Sequence, residues 1–241
     1  TKGFKAKLIE GYQNGYRAIA IALLHGYLHP DHELKAAELA REVGYLDVIC
    51  SHESCPEIGY SSRGDTATLD AYLTPVLRQY LAELKRLLPD SKIDVMTSNG
   101  GVKASEFIKG HHALLSGPAA GVVASAKVCE QHGISKIIGF DMGGTSTDVS
   151  SYDGFFEKVY ETDIDGIRMK TPMLHIHTIA AGGGSICRYQ DGRFVVGPES
   201  AGSDPGPICY DKRDASGAPL ADALTVTDIN YYLGQIGRAH V

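Results

Sequence analysis

The chain has 241 residues, enough to bury a full core in one large domain or two smaller ones, and its 43% hydrophobic content with 28 glycines suits an α/β protein rich in tight turns. A formal charge of −6 without any Lys/Arg cluster argues against a nucleic-acid partner, and the longest apolar run, Ala18 to Leu24, is too short to cross a bilayer, so no membrane segment is expected. Five cysteines (Cys50, Cys55, Cys129, Cys187, Cys209), none in a Cys-x-x-Cys pair, together with the lack of a signal peptide, read as reduced thiols of a cytoplasmic protein.

In chain order, Ala18 to His25 is a strand candidate, followed by a turn at Pro30-Asp31 and an amphipathic helix from about Glu33 to Val43 that stops at Gly44. Asp47 to Ser51 reads as a second strand, and Ser54 to Gly64 as irregular. A long helix is expected from Asp65 or Thr66, with Leu69, Tyr72, Leu73, Val76, Leu77, Tyr80, Leu81, Leu84 and Leu88 at helical spacing; Pro75 should kink or split it. Ile93 to Thr97 gives a third strand running into Ser98-Asn-Gly-Gly101, and the alternation of strand and helix implies parallel pairing. Ser98 to Gly101 would then sit at the strand edge where ligands of α/β proteins gather.

Ser116 to Gly133 is a punctuated helix, with Pro118 suited to its first turn and Gly133 to its stop. Its small first-turn residues, Ser116 and Gly117 among them, fit close approach of a ligand or of another backbone, or helix–helix packing. Beyond Ser135 the composition changes to strands and Gly/Pro loops, which sets domain boundaries of 1–133 and 134–236; Gly237-Arg-Ala-His-Val241 reads as a non-native tail at 237–241. Ile137 to Ser150 forms strand, turn and strand, and runs on toward an Asp153-Gly154 hairpin turn. Met173 to Ile186 is one strand-like run ending in three glycines and Ser185. The proline and glycine density of Val196 to Pro207 argues against regular structure there. Thr225 or Thr227 caps a terminal helix.

The segment with the most chemistry is Asp141-Met-Gly-Gly-Thr-Ser-Thr-Asp148. Gly143 and Gly144 let backbone touch phosphate, Thr145, Ser146 and Thr147 offer hydroxyls, and successive N–H groups in such a turn can cradle an anion. Asp141 and Asp148 suffice for Mg²⁺, which keeps several waters and takes only one or two carboxylates. A glycine turn in an ordinary hairpin is the simpler alternative. His175 and His177, at alternate positions of a strand, would share a face and could jointly hold a metal, or be satisfied by backbone bonds; His111 and His112, as neighbours, diverge. Thr178 and Ser185 fit turn and cap chemistry equally well.

Five ordered motifs then carry a resemblance: Ser98-Asn-Gly-Gly101, Leu115-Ser-Gly-Pro-Ala-Ala-Gly-Val122, Phe140 to Asp148, His177-Thr-Ile-Ala-Ala-Gly-Gly-Gly-Ser185 and Gly197 to Pro207. Together they resemble the hydantoinase A family, which includes ATP-dependent N-methylhydantoinases and 5-oxoprolinases and the related β subunits of acetone carboxylases. The resemblance covers about Ala18 to Ile236. It implies a ribonuclease H-like fold of the actin, sugar-kinase and heat-shock-chaperone ATPase type, present here as the end of the first subdomain and the start of the second. It implies ATP and Mg²⁺ as cofactors, with Asp141 to Asp148 as the second phosphate loop and catalytic Asp141 and Asp148. Gly182, Gly183, Gly184 and Ser185 would face the nucleotide, and Ser116 and Gly117 would belong to the connecting helix near the cleft.

The implied reaction is activation of a sluggish carbonyl by ATP in a cyclic amide, with a hydantoinase B-type partner. The alternatives are an acetone-carboxylase-like subunit, a small-molecule kinase or a non-enzymatic ATPase scaffold. The family's earlier Asp/Gly/Thr phosphate loop has no counterpart before Ala18, so the chain is expected to be an inactive fragment, and an exposed sheet edge in its first half invites a homodimer.

Overall fold

The computed structural model describes residues 2–164 and 166–237. They form two compact units, Thr1–Val123 with Phe156–His175, and Ala124–Phe155 with Ile176–Val241. Apart from Gly237, the segment read as a tail lies outside the described residues. The division at Val123 falls inside a helix, whereas residue 133 marks where helical composition gives way to strands and loops.

The first unit opens with α1 (Lys2–Gln13), β1 (Ala18–Ile21), α2 (Asp31–Val43) and β2 (Asp47–Cys50). β1 and β2 pair in parallel, Ala18 against Asp47 through Ile21 against Cys50, and every residue of β2 is buried, as in a strand covered on both faces. Ala37 and Ala40 of α2 join Leu8, Ile21, Tyr45, Val48 and Cys50 in one apolar core. α2 stops at Gly44 because its φ of 116° suits a residue without Cβ, and the Gly44 N–H closes on the Ala40 and Arg41 carbonyls. α1 has no apolar stripe legible in the sequence; Leu8 is its buried side chain, and the Tyr45 hydroxyl donates to the Leu8 carbonyl at 3.0 Å.

α3 (Ser51–Ser54) and α4 (Tyr60–Leu87) follow. α4 begins earlier than the sequence suggests and runs through Pro75 as one element. Pro75 forfeits one N–H bond, but Ala67 and Ala71 already anchor the preceding turns on Ile49, Ala18 and Ala20. The next strand overturns an expectation. β3 (Asp94–Met96) pairs antiparallel with β4 (Val102–Ala104) rather than in parallel with β1 or β2, and Ser98 to Gly101 lies in the turn that joins them. Gly100 at φ 81° and the 2.8 Å bond from Thr97 N–H to the Gly101 carbonyl make a local Asn-Gly turn that outweighs the strand–helix alternation. After a 3₁₀ turn (Ser105–Phe107) come α5 (Gly110–Ala113) and α6 (Ser116–Gln131), the latter stopped by Gly133 at φ 73°.

In the second unit, β5 (Lys136–Met142) and β6 (Thr147–Asp153) form the expected hairpin. Gly154 turns the chain at φ 79°, but no second hairpin forms at Asp153-Gly154. The following strands, β7 (Lys158–Val159), β8 (Thr162–Ile164), β9 (Ile167–Met169) and β10 (Met173–Leu174), belong to the first unit, where β7 pairs with β10 and β8 with β9. The single run expected over Met173 to Ile186 is therefore divided among β10, β11 (His177–Ile179) and β12 (Ser185–Gln190).

β11 adds to β6, giving the order β11-β6-β5. β13 (Arg193–Ser200) pairs with β12 and carries regular strand into the segment expected to lack it; in a two-stranded sheet both strands are edges, where Pro198 is tolerated. α7 (Val226–Tyr232) is capped by Thr225, whose side chain accepts from the Asp228 N–H while the Asp228 carboxylate accepts from the Thr225 N–H. Among the described residues no helix is long and apolar enough to cross a membrane.

Candidate functional site

The β5–β6 hairpin presents its turn to solvent. Met142 and Thr147 are the last paired residues, and Gly143 N–H closes the loop on the Ser146 carbonyl at 2.9 Å. Gly143, Gly144 and Thr145 are exposed, and among the described residues the N–H groups of Gly144 and Thr145 donate to no protein acceptor. Neither glycine has a positive φ, a Cβ on Gly144 would meet nothing within 4 Å, and one on Gly143 would only touch the Ser146 carbonyl at 3.5 Å. The fold itself does not require glycine at these two positions.

Asp141 and Asp148 are register partners across the two strands, and Thr178 of β11 is the partner of Asp148 on the other side. Directly opposed residues on one face stand about 5 Å apart at Cβ, and like charges so placed repel. The Thr178 hydroxyl donates to Asp148 Oδ1 at 2.6 Å, which fixes one carboxylate and leaves Asp141 exposed beside it. A divalent cation would convert this repulsion into attraction.

Beneath the turn lies a second glycine-rich loop. Gly183 N–H donates to the Gly143 carbonyl at 2.8 Å and Gly184 N–H to the Gly144 carbonyl at 2.7 Å. A Cβ on Gly182 would stand 2.7 Å from the Gly143 carbonyl oxygen, the Gly144 carbonyl carbon and Thr145 N; one on Gly183 would meet Thr227 Oγ1 at 2.7 Å, and one on Gly184 would meet Ser200 Oγ at 2.9 Å. At Gly182 backbone lies directly on backbone, whereas Gly183 and Gly184 are crowded first by the Thr227 and Ser200 hydroxyls. The Ser185 hydroxyl accepts from Gly182 N–H at 2.9 Å, Thr147 Oγ1 donates to the Ala181 carbonyl at 2.6 Å, and both the N–H and the hydroxyl of Thr227 reach the Gly183 carbonyl at 2.8 Å. With these contacts Gly182 to Ser185 hold the turn from below, a role the sequence does not show.

A strand, an exposed glycine turn with free donors, paired carboxylates and a second glycine loop locked against the first form a distinctive set, and comparison with known proteins gives it a lineage. The Hydantoinase/oxoprolinase family model matches residues 63–240, and the model of the Hydantoinase/oxoprolinase N-terminal region matches residues 1–44. The chain belongs to the hydantoinase/oxoprolinase family. It is 48% identical over 228 residues to the 5-oxoprolinase PfmaA of Pestalotiopsis fici, covering 92% of this chain and 17% of that protein. The solved structure of an ATP-dependent caprolactamase from Pseudomonas jessenii superposes with a TM-score of 0.76 at 31% identity, over 98% of this chain and 34% of that one. A nucleotide-free acetone carboxylase shares the fold, with a TM-score of 0.74 at 22% identity over 98% of this chain and 34% of that one. The α/β architecture is thus that of these two enzymes.

The other positions singled out in this hydantoinase/oxoprolinase chain are distributed as follows. Ser116 and Gly117 open α6 in the first unit; Gly117 is exposed, a Cβ there would meet nothing within 4 Å, and Leu115 just before holds a φ of 55°. His175 and His177 do not share a strand. The chain leaves β10 at Leu174, His175 Nδ1 lies 3.1 Å from Glu157 Oε1, and His177 pairs with Val149 in β11 of the other unit. The alternate-residue argument for a joint metal site fails because the run is broken between them.

Sequence reading also misses a buried polar network in the first unit. Glu33 Oε1 accepts from Leu23 N–H at 2.8 Å and Ser51 Oγ at 2.6 Å, while Oε2 accepts from His52 N–H at 3.2 Å and lies 2.7 Å from His52 Nδ1. Burial acts to raise the pKa of Glu33, but these donors outweigh it and hold the carboxyl below its ordinary value. Arg63, wholly buried, binds Ser51 Oγ at 2.9 Å and the Leu23 and Glu57 carbonyls. Among the described residues Glu33, Cys50 and His52 bring possible ligand atoms within 4.8 Å of one another. Both carboxylate oxygens of Glu33 are already taken, and burial pushes the Cys50 thiol up to about 11, so this set reads as an internal brace.

Proposed function

We propose that this chain supplies a phosphate- and Mg²⁺-binding part of an ATP-dependent cyclic-amide hydrolase of the 5-oxoprolinase type. The observation that carries the reading is the Gly143–Ser146 turn: exposed, with free N–H donors at Gly144 and Thr145, glycines the fold does not need, and carboxylates opposed at Asp141 and Asp148. In this reading the free amides and the Thr145 and Ser146 hydroxyls hold phosphate oxygens. Asp141 and Asp148 hold Mg²⁺ through its water, and the ion would offset phosphate charge there. In the same reading the architecture is that of the ribonuclease H-like ATPases, and this hairpin serves as the second phosphate loop. Gly182 to Ser185 position the turn from beneath, and Ser116 and Gly117 belong to the connecting helix.

Transfer of a phosphoryl group to a carbonyl oxygen makes chemical sense for such a site, since a phosphate ester leaves far more readily than an amide oxygen. The identity to a 5-oxoprolinase and the likeness to a caprolactamase support a lactam or hydantoin as substrate. In the same reading the complete enzyme includes a hydantoinase B-type partner. The shared fold of acetone carboxylase supports a second reading, carbonyl activation for carboxylation. ADP release by the full-length protein, measured with 5-oxoproline, hydantoin, acetone plus bicarbonate, and simple sugars, separates these. Release dependent on a cyclic amide is expected; release stimulated only by a sugar, or running steadily with no added substrate, sinks the proposal.

A further inference from the structure

α4 carries more apolar surface than the fold covers. Leu69, Tyr72, Val76, Tyr80 and Leu87 follow one another at steps of three, four and seven residues and so share one face of the helix. Tyr72, Val76 and Tyr80 are 75%, 67% and 63% exposed, and Leu87 is exposed as well. The opposite face is the one turned to the core, where Ala67, Ala71 and Leu81 are buried. A second, solvent-facing apolar stripe of this kind marks a contact surface.

On one flank of the stripe a groove of about 360 Å³ runs between α4 and α5. Leu73, Leu77 and Tyr80 line it from α4, and Gly110, Ala113 and Leu114 line it from the other side. The two elements approach closely because Gly110 has no side chain; a Cβ there would stand 2.5 Å from Leu73 Cβ.

Stripe and groove lie on the same helix, so a second copy of the chain brings both. In an antiparallel pair of α4 helices with a two-fold axis at Val76, Tyr80 of one copy meets the other copy where Tyr72 and Leu73 stand. At 3.6 residues per turn Tyr80 leans about 40° from Val76 and Leu73 about 60° to the same side. The two-fold keeps sides matched, so Tyr80 faces Leu73 of the second copy and the groove beside it. The same register sets Asp65, exposed and without an ion pair among the described residues, next to Arg86 of the second copy. Arg86 is held at the surface by two hydrogen bonds to Glu83 in its own helix, at 2.9 and 2.6 Å. Glu83 comes opposite Leu69, so no like charges are opposed.

We propose that two copies of this chain pair through α4 as an antiparallel helix pair, with Tyr80 of each seated in the groove beside Leu73 of the other. A two-fold contact needs a single surface that carries both a shape and its complement, and α4 has both in knob and groove and in Asp65 and Arg86. A tyrosine seated in a pocket is a frequent anchor of protein contacts. The pairing uses neither a sheet edge nor any residue of the phosphate turn.

Sedimentation equilibrium of the 241-residue chain, from micromolar to submillimolar concentration, tests this. A monomer–dimer equilibrium is expected, and Tyr80→Glu is expected to weaken it at least tenfold. Asp65→Arg and Arg86→Glu should each weaken it, and the two changes together should recover most of the loss. Tyr80, Asp65 and Arg86 are all exposed, so the variants should fold, and circular dichroism checks that they do. A chain that stays monomeric throughout overturns the proposal. So does a dimer that Tyr80→Glu leaves unchanged, or a charge swap no tighter than either single variant.

Discussion

Two glycine-rich loops lie one on the other in the second unit, and they are glycine-rich for opposite reasons. At Gly182, Gly183 and Gly184 every added Cβ would strike an atom within 3 Å, so packing demands the residue. At Gly143 and Gly144 an added Cβ would meet open space or an ordinary contact, and neither φ is positive. The lower loop is built for the fold; the upper one is not constrained by it. A motif of consecutive glycines therefore does not by itself say which side faces a ligand.

Gly182→Ala should disrupt the lower loop most severely. Its Cβ would stand 2.7 Å from three backbone atoms, none of which can rotate away, so the loops must separate. Overpacking of this kind costs about 3 kcal/mol or more when backbone must move, and chemical denaturation should show the loss without any ligand present. A variant as stable as the parent would mean that the two loops are not in contact.

Gly144→Ala tests the upper half. Stability should stay within about 0.5 kcal/mol of the parent, because the methyl meets nothing. Mg·ATP affinity should fall by about tenfold or more, roughly 1.4 kcal/mol, because the backbone could no longer approach phosphate closely. Calorimetry reads both, and equal nucleotide binding by the variant would reduce the turn to an ordinary hairpin.

Thr147→Val probes the link between the loops. The Thr147 side chain is buried and donates to the half-buried Ala181 carbonyl at 2.6 Å, so its replacement forfeits this hydrogen bond and should cost about 1 kcal/mol in thermal or denaturant unfolding. If the link also positions the turn, nucleotide affinity falls further than stability alone explains.

Much of this architecture was legible in local sequence. The β5–β6 hairpin with its opposed aspartates, the Gly44 stop of α2 and the Thr225 cap each depend on residues close together in the chain. What sequence did not show depends on approach between distant segments. The backbone contact of Gly182 to Gly184 with Gly143 and Gly144, the Asp70–His111 pair and the grouping of β7 to β10 with the first unit leave no periodic trace. The antiparallel pairing of β3 was hidden for a different reason: an Asn-Gly turn is a short-range signal, and the strand–helix alternation around it points to the other topology.

Asp141→Asn carries a small expected change in stability, and its sign is the informative part. Asp141 and Asp148 face each other across β5 and β6, and like charges so placed cost a few tenths of a kcal/mol up to about 1 kcal/mol. Asp148 is partly relieved by the Thr178 hydroxyl, whereas Asp141 is exposed, and replacing it by the neutral amide should raise stability slightly in metal-free buffer. With millimolar Mg²⁺ and ATP the order should reverse, since the parent gains the ion as a bridge and the variant does not. Thermal unfolding of both proteins in the two buffers checks this. A variant less stable than the parent without metal would show that Asp141 is held by the fold, and the carboxylate pair would lose its claim as a cation site.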